Sequence, residues 1–326
     1  MLMRTLLLVA AFACASGLAG AADTYPSRPI TVVVPFPAGG PTDAIVRLLG
    51  ERMRLSLGQP LVVEYVTGAA GTIGLGRVAR AAPDGYTVIF GHTGTHVLSG
   101  AFYALGFDLM KDFAPISLLP SNPYLLVTKP GVPARDLKEL IVWLQQNGDK
   151  ASQGTPGVNT GPHLAGKHFQ SITGTRFAFI PYRGSAPALQ DLMGGQIDLM
   201  FEQAQTSLQH VRAGRIKAYA VTASSRLASA PDIPTVDEAG VPDLHMTLWY
   251  GLWASGGTPK DVIARLNAAV VETLADPAVR QRLAELELEI PSPAEQTPEA
   301  LAARQKADIE KWWPIVKANN MKPEAN

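Results

Sequence analysis

The sequence predicts an α/β protein of two lobes with a helical C-terminal tail packed back on the first lobe. Short Val- and Ile-rich runs alternate with amphipathic helical patterns from residue 29 to residue 222, the signature of buried, mostly parallel strands joined by helices. From Pro259 onward the pattern is nearly all helical. Two apolar runs, 124–128 and 248–254, are the candidate crossings between lobes. They place lobe one at residues 23–123 plus 247–326 and lobe two at 124–246. A chain of 326 residues is long enough for two cores.

Residues 1–22 read as a secretory signal peptide. Arg4 gives a positive start, 6–15 are a short apolar block, and Ala19-Gly20-Ala21 offers small residues for cleavage. The mature protein is therefore expected to be periplasmic. Cys14 is the single cysteine, and cleavage after Ala21 or Ala22 leaves no thiol for a disulfide, a nucleophile or a metal. Ala11-Phe12-Ala13 is a poor approach to a lipid-bearing cysteine.

In chain order, 29–34, 61–66, 86–90, 124–128, 177–180, 197–201 and 218–222 read as strands. The helical patterns lie at 43–57, 134–146, 187–193 and 208–213, then 260–274, 277–286 and 298–318 in the tail. Prolines sit at or near the tail helix starts. Pro314 alone falls inside, where it is expected to kink the last helix or end it early. No repeat of solenoid period is present.

Twenty-eight basic and 28 acidic residues balance. Without a basic surplus or a long run of like charge, nucleic acid is excluded as a partner.

One local design occurs twice. "VVVPFPAGGPTD", from Val32, runs from strand through Pro-aromatic and glycine into a helix, and "FAFIPYRGSAPALQ", from Phe177, repeats it. One bend falls in each proposed lobe. Glycine lets backbone amides approach a ligand closely, and the following helix turns its unbonded N-H groups to the same point. Such a place suits an anion without any lysine, at the carboxyl ends of strands where α/β folds bind ligands. Strand, glycine turn and helix is also ordinary connecting chemistry, but the pairing favours a shared ligand. Micromolar affinity needs roughly 8 kcal/mol. A helix N-terminus gives about 0.3 to 2 and a hydrogen bond to a charged group about 1.5 to 3, so two bends suffice where one does not. The hydroxyl-rich loops "FGHTGTH" (90–96) and "GTPGVNTGPH" (154–163) are candidate walls, the second ending in a helix from Pro162.

"PFPAGGPTD", "GAAGTIG", "AAPDGYTV", "GHTGTH", "DFAPISLL", "GPHLAG", "PYRGSAPALQDLMGGQID" and "IPTVDEAGVP" together resemble the Bug family, the extracytoplasmic solute receptors of tripartite tricarboxylate transporters. The resemblance covers essentially the whole chain after residue 22. It implies a two-lobed periplasmic binding protein of the type II, clamshell kind, closing over a small organic acid held by main-chain amides and hydroxyls. Carried over by motif, it points to Phe36, Ala38, Gly39, Gly40 and Asp43 in the first bend, and to Tyr182, Gly184, Ser185 and Ala186 in the second. Thr93, Thr95 and His96 match the hydroxyl-rich loop, and Thr155 and Thr160 the loop of the second lobe. Glu202 stands where aspartate is common, at a position that can face the cleft. Tyr65-Val66-Thr67 replaces the usual Asn-Arg-Pro, and Arg183, read as an outward surface charge, a usual lysine.

Other signals are set aside. "GPHLAGKH" (161–168) has His168 where a phosphate-binding loop needs a hydroxyl, and "GTIGLG" (71–76) lacks dinucleotide spacing. His92 and His96 are four apart, but the segment reads as a loop with no third metal ligand nearby. No GxSxG elbow is present, and no acid and base pair is nominated by spacing. The expected protein binds a small carboxylate, with a dicarboxylate or tricarboxylate favoured and an aromatic diacid also fitting, and delivers it to membrane permease subunits. It acts as a monomer without cofactor, metal or nucleic acid. An enzyme acting on a small acid in the same cleft, or a sensor for a signalling partner, is the alternative.

Overall fold

The computed structural model describes residues 25–319 and 321, so the leader read at 1–22, with Cys14, lies outside the described residues. Strand β1 (Ile30–Val34), sequence ITVVV, has four of its five residues buried, the place that β-branched residues fill well. It feeds helix α1 (Pro41–Leu57), which starts on a proline and stops at Gly58 in the left-handed conformation, φ 72°. Ile45, Val46, Leu49, Met53 and Leu57 make its buried stripe at helical spacing. β2 (Leu61–Tyr65) and β3 (Thr87–His92) flank β1 in parallel, with α2 (Thr72–Ala79) between them in the chain.

After β3 the chain forms a π-helical turn, Gly94–Leu98, and short helix α3 (Ser99–Phe102). The loop expected at 90–96 is thus strand end and helical turn. Strand β4 (Phe113–Thr128) is 16 residues long. Its first part pairs antiparallel with β9 (Thr247–Ser255), its last part with β7 (Leu199–Gln203) and β8 (Lys217–Val221). Pro115, Pro120 and Pro123 lie in this strand. Its register against β9 shifts between Pro115 and Ser117 and between Leu118 and Ser121, irregularities of the kind that accommodate prolines, which cannot donate to a ladder.

Helix α4 (Leu137–Asn147) is capped by Asp136, which accepts from Glu139 N at 2.9 Å. β5 (Ser152–Thr155), α5 (Gly161–Thr173), β6 (Ala178–Pro181), α6 (Ser185–Met193) and, after β7, α7 (Ala204–Arg212) follow. The strands form one sheet in the order β2-β1-β3-β9-β4-β7-β5-β6, with β8 on β4. Four ladders are parallel and four antiparallel, correcting the expectation of mostly parallel strands. The antiparallel ones all involve β4 or β9.

One apolar cluster gathers β1, α1 and the tail helices α8 (Lys260–Ala275) and α9 (Pro277–Glu285) through Ile45, Leu49, Leu266 and Leu283. A second joins the end of β4 to α6 and β7 through Leu125, Leu192 and Met200. A third runs from Ile89 through Trp253 to Phe169 and Phe201, across both halves. The last helix, α10 (Pro298–Ala318), passes through Pro314 without stopping there. Glu310 and Pro314 are both exposed, so the Glu310 carbonyl that loses its helical partner can turn to water. Indole N-H groups stitch α10 down: Trp249 donates to Asp308 Oδ2 at 2.6 Å, Trp253 to Gln305 Oε1 at 3.1 Å, and Trp313 to the Val97 carbonyl at 2.9 Å.

Candidate functional site

A cavity of about 490 Å³ opens where four helices begin. Phe36 and Pro41 reach it from the start of α1, Thr160 and Gly161 from α5, Gly184 and Ser185 from α6, and Gln203 and Thr206 from α7. His92, Thr93 and Gly94 come from the end of β3, and Leu98, Phe102, Met246 and Leu248 add apolar wall. No side chain caps the first turns of α1, α5, α6 or α7. Their N-terminal partial positive charge is therefore directed at the cavity, offset at α7 by Glu202, whose Oε1 accepts from Gln203 N. Among the described residues that line it there is no lysine and no arginine. The arrangement suits an anion held by dipoles and hydroxyls.

Six of the residues singled out from sequence meet here: Phe36, Thr93, Thr160, Gly184, Ser185 and Glu202. Thr93 accepts from Trp249 N at 3.2 Å, tying the turn to β9, and the Thr160 hydroxyl donates to the Gly157 carbonyl at 2.8 Å. Gly184 precedes α6 at φ 106°, ψ 172°, a region only glycine occupies readily. Its amide donates to the Pro156 carbonyl at 3.2 Å, locking the bend to the loop before α5.

The others lie outside the lining. Ala38 and Gly39 are exposed on the bend and Gly40 is the residue before α1. Asp43 braces that bend from beneath: it accepts from Gly39 N at 2.8 Å, Arg47 Nε at 2.8 Å and Tyr65 Oη at 2.6 Å. The Gly39 amide, expected to meet a ligand, is thus held by Asp43. Thr95 and His96 are completely buried. The Thr95 hydroxyl bonds the carbonyl of His92, and the His96 ring stacks on Trp253 at 3.6 Å. Room for that stack comes from Gly91 and Gly251, which face each other across β3 and β9; a Cβ on Gly91 would stand 2.3 Å from the His96 ring, and one on Gly251 2.5 Å from Trp253. Thr155 is buried at the end of β5, its carbonyl accepting from Tyr182 N at 2.9 Å. The Tyr182 hydroxyl donates to Asp191 on α6 at 2.6 Å, and Ala186 is exposed on that helix. Arg183 is exposed and outside the lining.

The Asp43 carboxyl is held below its ordinary value, chiefly by the Tyr65 hydroxyl and further by the Gly39 amide and Arg47. A depressed carboxylate contributes stability that is complete above the ordinary value of 3.8 and lost as pH falls through the lowered one. Asp43→Ala is expected to cost about 1 to 3 kcal/mol near neutrality. Urea titrations at several pH values should show the gap from the parent protein closing in acid below that ordinary value.

Sequence reasoning missed His92. Its ring stacks on Phe36 at 4.6 Å, and its Nδ1 accepts from Gly94 N at 2.9 Å. A backbone N-H only donates, so Nδ1 carries no proton and the neutral ring has its proton on Nε2. Burial lowers the His92 pKa to about 4, leaving a neutral donor at the cavity wall. The start of α7 was missed as well. Its signal is the stretch from Phe201, "FEQAQTS", where a strand passes into a helix without glycine or proline, so none of the cues used for the two bends is present.

Glu202, at the end of β7, is almost fully buried. Oε1 accepts from Thr206 Oγ1 at 2.6 Å and Gln203 N at 3.1 Å. The Ser185 hydroxyl favours the charged form, yet no hydrogen bond of acceptable geometry reaches Oε2. Burial dominates and raises the carboxyl above its ordinary value. A second cavity, of about 400 Å³, lies at the crossing strands between Ser121, Thr222, Trp249 and Glu289 and is reached by neither bend. Trp249 lines that one rather than the first.

Comparison with known proteins agrees with this architecture. The profile described as "Tripartite tricarboxylate transporter family receptor" matches residues 45–321. The periplasmic binding protein BugD is 39% identical, with a TM-score of 0.76 over 91% of this chain and 100% of its own. MatC from Rhodopseudomonas palustris, solved with bound malate, is 38% identical with a TM-score of 0.76, covering 90% of this chain and 100% of its own. Another R. palustris protein, solved with adipate, is 31% identical with a TM-score of 0.78, covering 92% and 99%. With its mixed α/β fold and its profile match over most of its length, the chain belongs to the Bug family of tripartite tricarboxylate transporter receptors, periplasmic solute-binding proteins rather than enzymes.

Proposed function

We propose that this chain is exported to the periplasm, captures a dicarboxylate in the 490 Å³ cavity, and delivers it as a monomer to the permease subunits of a tripartite transporter. The observation that carries the reading is the convergence of four uncapped helix starts on a cavity without lysine or arginine. Gly184 and Ser185 face one carboxylate from α6, while His92, Thr93 and the start of α1 face the other. Residues 23–123 plus 247–326 form one jaw and 124–246 the other. Capture favours the closed state of a hinge whose crossing strands are β4 and β9. Malate in MatC and adipate in the second R. palustris protein are both dicarboxylates, which supports the class, and the apolar wall at Phe102 and Leu248 suits the carbon chain between two carboxylates.

Thermal-shift screening over dicarboxylates of four to eight carbons, with citrate and monocarboxylates as comparators, tests this. At a hundredfold excess over Kd a true ligand adds about 2.7 kcal/mol to stability. It should be recovered chemically unchanged, and its uptake by cells should require both this chain and the permease. A panel in which monocarboxylates stabilise as well as dicarboxylates would overturn the two-ended reading.

His92→Phe keeps the ring stacked on Phe36 but removes the Nε2 donor, along with the Nδ1 acceptor of the Gly94 amide. Affinity for the identified acid is expected to fall about tenfold to a hundredfold, the worth of one hydrogen bond to a charged group. Isothermal titration of parent and variant reads this directly.

A further inference from the structure

We infer that Glu202 meets its ligand in the protonated form, as a hydrogen-bond donor through Oε2, so that binding of a carboxylate is coupled to retention or uptake of one proton at this residue. The inference rests on the proposed anion site and adds to it a chemical role for the one acidic side chain among the described residues of the lining.

Oε1 is occupied by two donors at the start of α7, the Thr206 hydroxyl and the Gln203 amide. Oε2 is buried and receives no hydrogen bond of acceptable geometry, although the Ser185 hydroxyl lies near enough to favour the charged form, so it is the oxygen left for a ligand. An ionised Oε2 offers only lone pairs, and beside a ligand carboxylate it places two like charges in one cavity. Among the described residues no lysine or arginine lines the cavity to absorb them. A protonated Oε2 instead presents an O-H to the ligand oxygen, a short charge-assisted hydrogen bond of the stronger kind. The same switch occurs wherever two carboxyl groups share a site: one keeps a proton.

Among the described lining residues no other carboxyl group is present to play this part. From β4 the titratable neighbour is Tyr124, whose hydroxyl burial and the nearby Glu202 both push upward. Across the cavity stand His92, neutral because burial lowers it to about 4, and Tyr103. Helices α5, α6 and α7 present Thr160, Ser185 and Thr206, which do not titrate. Burial already tilts Glu202 toward its acid form, and an anion adds to that tilt.

The sign follows from linkage. A ligand that prefers protonated Glu202 binds with full strength below the residue's midpoint in the free protein, and loses up to tenfold per pH unit above it until the midpoint of the complex is reached. The test uses the full protein with succinate, malate and adipate as probes. Carbon-13 NMR of labelled glutamate side chains, with the Glu202 signal assigned by Glu202→Gln, gives that midpoint with and without each acid. Calorimetric affinities between pH 5 and pH 8 give the slope. The midpoint is expected to rise by at least one pH unit on binding, with any slope in the parent protein vanishing in Glu202→Gln. A midpoint that is unmoved or lowered by a bound acid, or a slope that persists in the variant, overturns the inference while leaving the anion site intact. Failure of all three acids to bind counts against the site itself, and the inference falls with it.

Discussion

Gly184→Val is expected to weaken carboxylate binding at least about a hundredfold while the protein still folds. A Cβ at this position meets nothing within 4 Å, so the effect is one of dihedral angle rather than collision. At φ 106° and ψ 172° an L-residue is strained by about 1 to 3 kcal/mol. The chain relieves that strain by turning the peptides at the start of α6. Those peptides include the Ser185 and Ala186 amides, and Pro187 has none to replace them. Two hydrogen bonds to an anion are worth about 3 to 6 kcal/mol, and the lower figure is already above about a hundredfold in affinity. Calorimetric titration with the acid identified by screening, beside a thermal melt, separates lost binding from lost fold. Unchanged affinity would remove α6 from the site.

Trp253→Ala is expected to cost about 3 to 5 kcal/mol, the range for emptying a buried tryptophan position. The indole is almost fully buried in β9, lies flat on His96, and donates to Gln305. Removing it bares one face of the His96 ring and leaves Gln305 Oε1 without its donor. Gln305 also holds the π-helical turn, because its Nε2 donates to the carbonyls of His96 and Leu109 at 3.0 Å each. The turn between His92 and Leu98 therefore loosens with the core, and ligand affinity should fall along with the urea midpoint. A stability loss under about 1 kcal/mol would mean that the indole is not part of the packed core.

Much of this was legible in the residues. Strands β1, β2 and β3 and the tail helices read directly, because Val-rich runs and proline-led amphipathic stretches leave few alternatives. The bends at Phe36 and Gly184 were legible for the same reason, since proline and glycine mark special backbone. Strand β4 was read only at 124–128 because three prolines precede that segment, and only the register shifts against β9 make them tolerable. His96 and Thr95 were taken for ligand contacts because hydroxyl and imidazole groups after a strand serve equally well in a core. What separated them from His92 was Trp253, some 150 residues away in sequence, whose stack on His96 no local pattern discloses. Asp43 was misread similarly: its partner Tyr65 stands on the next strand.

On the proposed function, the absence of lysine and arginine among the described lining residues decides which solutes compete. Chloride, sulfate and phosphate surround any exported protein, and a lysine- or arginine-lined pocket attracts them by charge alone. Here such ions would give up strong hydration for amides and hydroxyls, while the walls at Phe102, Met246 and Leu248 would have nothing to cover them. The organic diacid of the proposed function would cover those walls with its own carbon chain and so draw on surface that the mineral ions lack. Discrimination against the salts of the surrounding fluid is thus a matter of shape and desolvation.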